Sequence, residues 1–283
     1  MYQSIKSLFR PATALMAVFS LIIVSCQKKF DPNSYKPAET FGGYSSSSEI
    51  APSNLVAHFS FESTLLDSVS NTSATAYGTT YSSTGIKGSA MVVDSGNYAL
   101  FTPTDAIRNL KSITITYWVN TQENTSGIQE PVCFVDSNQF WSNLDMFFDG
   151  QSSTGATFKM HVFGNSGASE AWLTSWTLTN PWETWLHIAL SYDSTSSTFA
   201  FYVNGALIGS SVQSGFGPLN FTNFPYIVLG TIQFQTSPSL TSGATSQSWA
   251  SYLSGSMDEL RIYNKALDAS DIKALYQLEY HDK

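Results

Sequence analysis

From Asn54 onward the chain alternates apolar and polar residues in short runs broken by turn residues, and only a β-rich fold buries one face of every such run. In Leu55–Phe61, the residues Leu55, Ala57, Phe59 and Phe61 point one way; in Ser112–Val119, Ile113, Ile115, Tyr117 and Val119 oppose Thr114, Thr116 and Trp118. Trp185–Tyr192 and Phe199–Val203 follow. Asn204-Gly205 then separates Phe199–Val203 from Ala206–Ile208, and Asn-Gly between apolar runs signals a type I′ hairpin because both central positions need positive φ. Shorter strands are expected at 89–93, 99–102, 131–135, 145–148, 157–163 and 226–229. So many short strands indicate a sandwich or barrel, and about 230 residues is an ordinary size for one such domain. The one convincing helix closes the chain: Asp268 caps it, Asp271 stands at capping-box spacing, and Ile272, Leu275 and Tyr276 share a face.

Lys and Arg total 13 against 21 Asp and Glu, a net charge of −8, with no Lys/Arg-rich run. That charge excludes a nucleic-acid partner, which needs clustered positive charge. Charged residues are only 12% of the chain, and aromatics reach 14%. Ser, Thr, Asn and Gly do the solvating, a composition suited to an extracellular β-protein and to neutral glycans. No Gly-x-Ser-x-Gly, phosphate loop, dinucleotide fingerprint or His-x-x-x-His spacing occurs. His187 lies in an apolar run and is expected to be a hydrogen-bonded structural histidine.

At the amino terminus, Lys6 and Arg10 precede an apolar run from Ala14 to Val24 that is short for a membrane span. It ends at Ser25-Cys26, which resembles a bacterial lipobox. The resemblance implies a signal peptide over 1–25, cleavage before Cys26 and lipidation of its thiol, and two or three acyl chains make a stable anchor. Residues 26–52, with Pro32, Pro37, Gly42-Gly43 and Ser45–Ser48, are expected to form a flexible tether to a domain over 53–283. Gln27 after the cysteine points to the outer membrane, on its periplasmic face or at the cell surface. Cys133, in Pro-Val-Cys-Phe-Val, is expected to be a buried hydrophobe in a strand.

Several ordered motifs carry a further resemblance: Leu55–Ser68, Ser112–Val119, Trp185-Leu-His-Ile-Ala with Tyr202-Val-Asn-Gly205, and Gly255–Asn264 with the closing helix. Together they resemble a laminin-G-like domain of the concanavalin A-like lectin/glucanase superfamily, of the kind found in lipoproteins of Bacteroidota. The resemblance implies an all-β, two-sheet antiparallel jelly-roll sandwich with one short C-terminal helix. It leaves three functions open: a carbohydrate-binding protein, an adhesion or protein-binding module, and a divergent glycoside hydrolase.

Strand alternation puts Asp258 on the apolar face with Leu260 and Ile262, and Glu259 on the other face with Arg261 as an exposed ion pair. Carboxylates on opposite faces cannot flank one scissile bond, which argues against hydrolysis. The resemblance raises a structural calcium ion at Asp258, with Glu62 or Asp67 as partners; the alternative is that Asp258 binds loop backbone. For a glycan ligand, Trp141 and Trp249 sit in polar stretches and are expected to stack on sugar, with Trp172 a further candidate and Asn138, Gln139 or Asn143 bonding hydroxyls. Trp172 and Trp176 share strand parity, whereas Trp118 and Trp185 are expected to pack inside.

Overall fold

The computed structural model describes residues 39–281; the expected signal peptide, Cys26 and the first part of the expected tether lie outside the described residues. The strands are β1 (Leu55–Phe59), β2 (Leu66–Asp67), β3 (Thr72–Ser73), β4 (Thr75–Tyr77), β5 (Thr80–Ser82), β6 (Ala90–Val93) and β7 (Tyr98–Phe101). After the one-turn helix α1 (Asp105–Arg108) come β8 (Ile113–Thr121), β9 (Gln129–Phe134), β10 (Leu144–Ser152), β11 (Gly155–Gly164) and β12 (Ser169–Thr179). β13 (Leu186–Asp193), β14 (Thr198–Val203), β15 (Ala206–Val212), β16 (Ile227–Leu229), β17 (Gly255–Tyr263) and helix α2 (Ala269–His281) complete the chain.

Two antiparallel sheets form a sandwich. One runs β15-β14-β13-β8-β17-β1-β2-β3, with β6 also pairing β17 and β5 pairing β6; the other runs β12-β11-β10-β9-β16-β7-β4. Alternate residues of both meet in the main core, for example Ile115, Tyr117, Ile188 and Leu260 against Phe134, Met146, Phe148 and Phe158. Asn204 and Gly205 have φ of 51° and 72°, as the β14–β15 hairpin requires.

The outer faces are covered in different ways. On the larger sheet, α2 packs through Ile272, Leu275 and Leu278, capped by Asp268, whose Oδ1 accepts the Asp271 N–H at 2.9 Å. The residues preceding β1 join it. Ile50 is buried, Phe41 stacks on His281 at 4.7 Å between ring centroids, and Tyr44 Oη donates to Asp271 Oδ1 at 2.8 Å. The stretch 39–52, read from composition as tether, is therefore folded onto the domain; Phe41, Tyr44 and Ile50 supply the apolar contacts that its serines and glycines hid.

The alternation expected at Asp258 and Glu259 fails, and the cause is a β-bulge. The β8–β17 register shifts between Asp258 and Arg261, and Glu259 has φ of 46°. Met257 pairs Val119 inside the core, while Asp258 pairs Trp118, whose indole faces α2. Asp258 therefore points away from Leu260 and Ile262. The Glu259–Arg261 pair, at 2.5 Å, is buried rather than exposed. Arg261 Nε also donates to Glu279 Oε1 at 2.7 Å, Trp118 Nε1 donates to Glu279 Oε2 at 2.7 Å, and His58 Nε2 lies 2.9 Å from Glu259. This network joins α2 to β8, β17 and β1.

His187 is buried in the same layer, but its two ring nitrogens have no hydrogen-bond partner, contrary to the sequence expectation. Burial, with Arg261 nearby, pushes its pKa down to about 3. The folded value lies below the ordinary 6.5, so the unfolded chain takes up the proton and stability is lost as pH falls from 6.5 toward 3. Between pH 6.5 and pH 5 this one group should cost about 2 kcal/mol. In urea titrations at the two pH values, His187→Phe should lose that part of the wild-type dependence; identical pH slopes in the two proteins would contradict the assignment.

Candidate functional site

The outer face of the seven-stranded sheet holds the site. Its β7, β16 and β9 half is roofed by the segment after β16, where Ile232, Phe234 and Ala250 pack on Cys133, Val135 and Val228. That apolar layer takes Phe147 from β10 but no residue of β11 or β12, so the roof stops short of the sheet's far end. Trp141, from the loop between β9 and β10, and Trp249, from the roofing segment, stand at the boundary. Trp172 rises beside them from β12.

The three tryptophans expected from sequence thus converge. Trp141 meets Trp172 edge-on at 4.8 Å and Trp249 at 5.8 Å between ring centroids. With Phe147, Asp149 and Lys159 they line a groove of about 370 Å³. Trp172 and Trp249 remain 39% and 42% exposed, which for rings held in an aromatic cluster leaves a face of each free for a ligand. Phe140 stacks on Phe234 at 4.7 Å and steadies the Trp141 side. The polar members are an ion pair, Lys159 Nζ to Asp149 Oδ2 at 2.5 Å, which presents one donor and one acceptor at the groove wall.

Beneath the aromatic rings a chain of hydrogen bonds fixes their positions. Asp145 Oδ2 accepts the Ser142 N–H at 2.9 Å, which pins the turn carrying Trp141, and lies 2.9 Å from His161 Nδ1. His161 Nε2 lies 3.2 Å from Glu170 Oε1, and the same oxygen accepts the Trp172 Nε1–H at 3.0 Å. Asp145 and His161 are fully buried, and Glu170 is half exposed.

Other sequence candidates fall elsewhere. Asn143 is buried, not ligand-facing. Its Nδ2 donates to the carbonyls of Val135 and Thr222, at 2.7 and 2.6 Å, and its Oδ1 accepts the Thr222 N–H at 3.0 Å. It clamps the loop because every polar group is used within the fold. Gln139 and Asn138 are exposed but do not line the groove. Trp176 does not share a face with Trp172. The β11–β12 register shifts between Phe158 and Met160, and this bulge turns Trp176 into the core. The sequence reading passed over Phe147, Asp149 and Lys159. Their signal was alternation: Asp145, Phe147 and Asp149 are every second residue of β10, and Lys159 lies directly opposite Phe147 on β11.

The proposed calcium residues are occupied by the protein's own donors. Asp258 Oδ2 accepts the N–H groups of Ile86 and Lys87, at 2.7 and 3.0 Å, and its Oδ1 accepts that of Glu259 at 2.9 Å. Burial pushes its pKa up to about 8 against the pull of these bonds. Asp67 takes the N–H groups of His58, Val69 and Ser70 together with the Ser70 hydroxyl, and Glu62 takes the Ser89 N–H. The Asp258 and Asp67 oxygens, surrounded by N–H donors, do not fit a cation, which needs acceptors facing it, and Glu62 is an exposed side chain. Asp258 thus holds backbone, that of residues 86 and 87. The group of three metal-ligating side chains found among the described residues lies elsewhere, at Glu130, Cys133 and Asp145.

The family model for the laminin G type of the concanavalin A-like lectin/glucanases superfamily matches residues 93–273. The chain belongs to that superfamily. The match spans both sheets and the whole aromatic groove. Among solved structures, the CBM40 of Ruminococcus gnavus IT-sialidase bound to α2,3 sialyllactose superposes with a TM-score of 0.51 at 16% identity, covering 66% of this chain and 95% of that one. Domain 4 of a GH43 extracellular arabinanase from Geobacillus stearothermophilus, in complex with arabinotriose, gives 0.54 at 22% identity, with 79% and 98% covered. The botulinum neurotoxin serotype G binding domain gives 0.58 at 13% identity, with 80% and 51% covered. At these identities the likeness is one of fold. No curated protein matches the sequence.

Asp145→Asn should destabilise the domain by about 2–4 kcal/mol in urea unfolding, because it puts an amide N–H₂ against the buried Ser142 N–H or His161. Glu170→Gln, at a half-exposed position, should stay within about 0.5 kcal/mol of wild type. Equal losses at both positions would mean that the chain of bonds is not anchored at Asp145.

Proposed function

We propose that this protein is a non-catalytic, lectin-like carbohydrate-binding protein held at the cell envelope by a lipid on Cys26. The convergence of Trp141, Trp172 and Trp249 in one groove carries the reading. Flat indole faces stack on the apolar faces of sugar rings, and the Asp149–Lys159 pair supplies a hydroxyl acceptor and donor beside them. The net charge of −8 and the scarcity of charged residues favour neutral over polyanionic glycans. Support also comes from the solved relatives in complex with arabinotriose and sialyllactose, which show that sandwiches of this architecture hold sugars.

A hydrolase needs two carboxyl groups reaching the same bound sugar. Two carboxyl groups do approach each other, Glu130 and Asp145, but both are fully buried and neither lines the groove. Asp149 is the one acid at the groove wall, and it is paired with Lys159. A protein-binding role is the second reading. It has its own surface: Leu207, Ile208 and Val212 are 54%, 43% and 63% exposed on the edge strand β15.

A glycan-array screen with parallel reducing-sugar release tests the first reading. Trp172→Ala and Trp249→Ala should each weaken binding to responsive glycans by about 1–3 kcal/mol, roughly 5- to 150-fold, without sugar release by the wild type. Binding that both substitutions leave unchanged would refute the groove, and sugar release by the wild type would move the reading to hydrolysis. For the anchor, a Gram-negative host expressing the full chain should incorporate labelled palmitate into wild type and not into Cys26→Ser; label in neither protein would remove the lipid.

A further inference from the structure

The cluster at Glu130, Cys133 and Asp145 lines no part of the groove, although Asp145 Oδ2 anchors the Trp141 turn, and its remaining carboxyl oxygens are not satisfied by the protein's own hydrogen bonds. One ligand atom of each residue lies within 4.8 Å of the others, and all three residues are fully buried. Glu130 Oε1 accepts the Met146 N–H at 2.9 Å, but Glu130 Oε2 is buried with no partner. Asp145 Oδ1 has only the Cys133 thiol, at 3.9 Å, because the N–H of Ser142 and the His161 ring both engage Oδ2. Among the described residues no lysine or arginine lies within ion-pair distance of Glu130 or Asp145. A buried carboxylate oxygen with no donor, beside a second carboxylate and a thiol, calls for a proton or a cation.

We propose that Glu130, Cys133 and Asp145 form a structural zinc site beneath the aromatic groove. Thiolate and carboxylate oxygen are both zinc ligands, whereas a thiol in the set excludes calcium and magnesium, which take oxygen alone. Binding displaces the Cys133 Sγ proton and the Glu130 carboxyl proton to solvent. One thiolate and two carboxylates then carry −3 against +2, where the metal-free site must hold its protons. Without a metal, burial and then the neighbouring Asp145 raise the Glu130 pKa well above the carboxylate range, and burial, with the acidic neighbours adding to it, raises that of Cys133. His161, 2.9 Å from Asp145, braces that ligand from behind, and the Ser142 hydroxyl, 2.8 Å from Cys133 Sγ, is the nearest further oxygen. The metal would tie β9 to β10 at the point where the Trp141 turn begins. This inference does not depend on the groove binding sugar.

The test uses the full chain in a Cys26→Ser background, where Cys133 is the one remaining thiol. The protein is refolded from denaturant with equimolar Zn²⁺ or Co²⁺ and dialysed. The expected result is about one equivalent of zinc retained and, with Co²⁺, a near-ultraviolet thiolate charge-transfer band. Cys133→Ser should abolish the band, and Glu130→Gln should weaken Zn²⁺ affinity at least about tenfold. Circular dichroism confirms that each variant has folded; where one has not, the cobalt band of the Cys26→Ser protein decides alone. Absence of that band, or zinc retention equal with and without the Cys133 thiol, overturns the site.

Discussion

The buried Asp145 carboxylate organises the functional face. Through one oxygen it fixes the turn that presents Trp141, and through His161 and Glu170 it reaches the indole of Trp172. A buried carboxyl group is costly unless it is hydrogen-bonded, so these bonds support the fold as well as the groove. Two of the three groove tryptophans thereby inherit the rigidity of the sheet. A preorganised aromatic surface loses little conformational entropy when a sugar stacks on it, which is how a shallow groove gains useful affinity.

The two outer faces show the same economy with different results. On the larger sheet the Arg261 guanidinium is sandwiched between Glu259 and Glu279, and α2 closes over it together with residues 39–52. That face is spent on stability. On the smaller sheet the covering segment seals β7, β16 and β9 and leaves β11 and β12 open. Among the described residues, the exposed tryptophans Trp172 and Trp249 therefore gather at the uncovered end of this sheet.

Much of the fold was legible because strand alternation and the Asn204-Gly205 turn are local signals. The short strands β2 to β5 were not, since two or three residues are too few to carry an alternation. Both parity arguments that failed, at Asp258 to Arg261 and at Trp172 to Trp176, failed at β-bulges, where one extra residue reverses every side chain beyond it. Trp141, Trp172 and Trp249 were picked out as aromatics in polar surroundings or on strand parity. The partners that join them, Phe147, Asp149 and Lys159, come from strands whose register the sequence does not reveal. Asn143 misled because an amide in a polar loop looks alike whether it meets solvent or clamps backbone.

The central claim is that the three tryptophans form one ligand surface. The most direct measurement is a titration of ¹⁵N-labelled protein with the strongest glycan from an array, following the indole N–H signals. The Trp141, Trp172 and Trp249 signals should shift together along one binding curve while buried Trp118 and Trp176 stay in place. A glycan that binds without moving the three, or that moves them along unrelated curves, would contradict a single aromatic site.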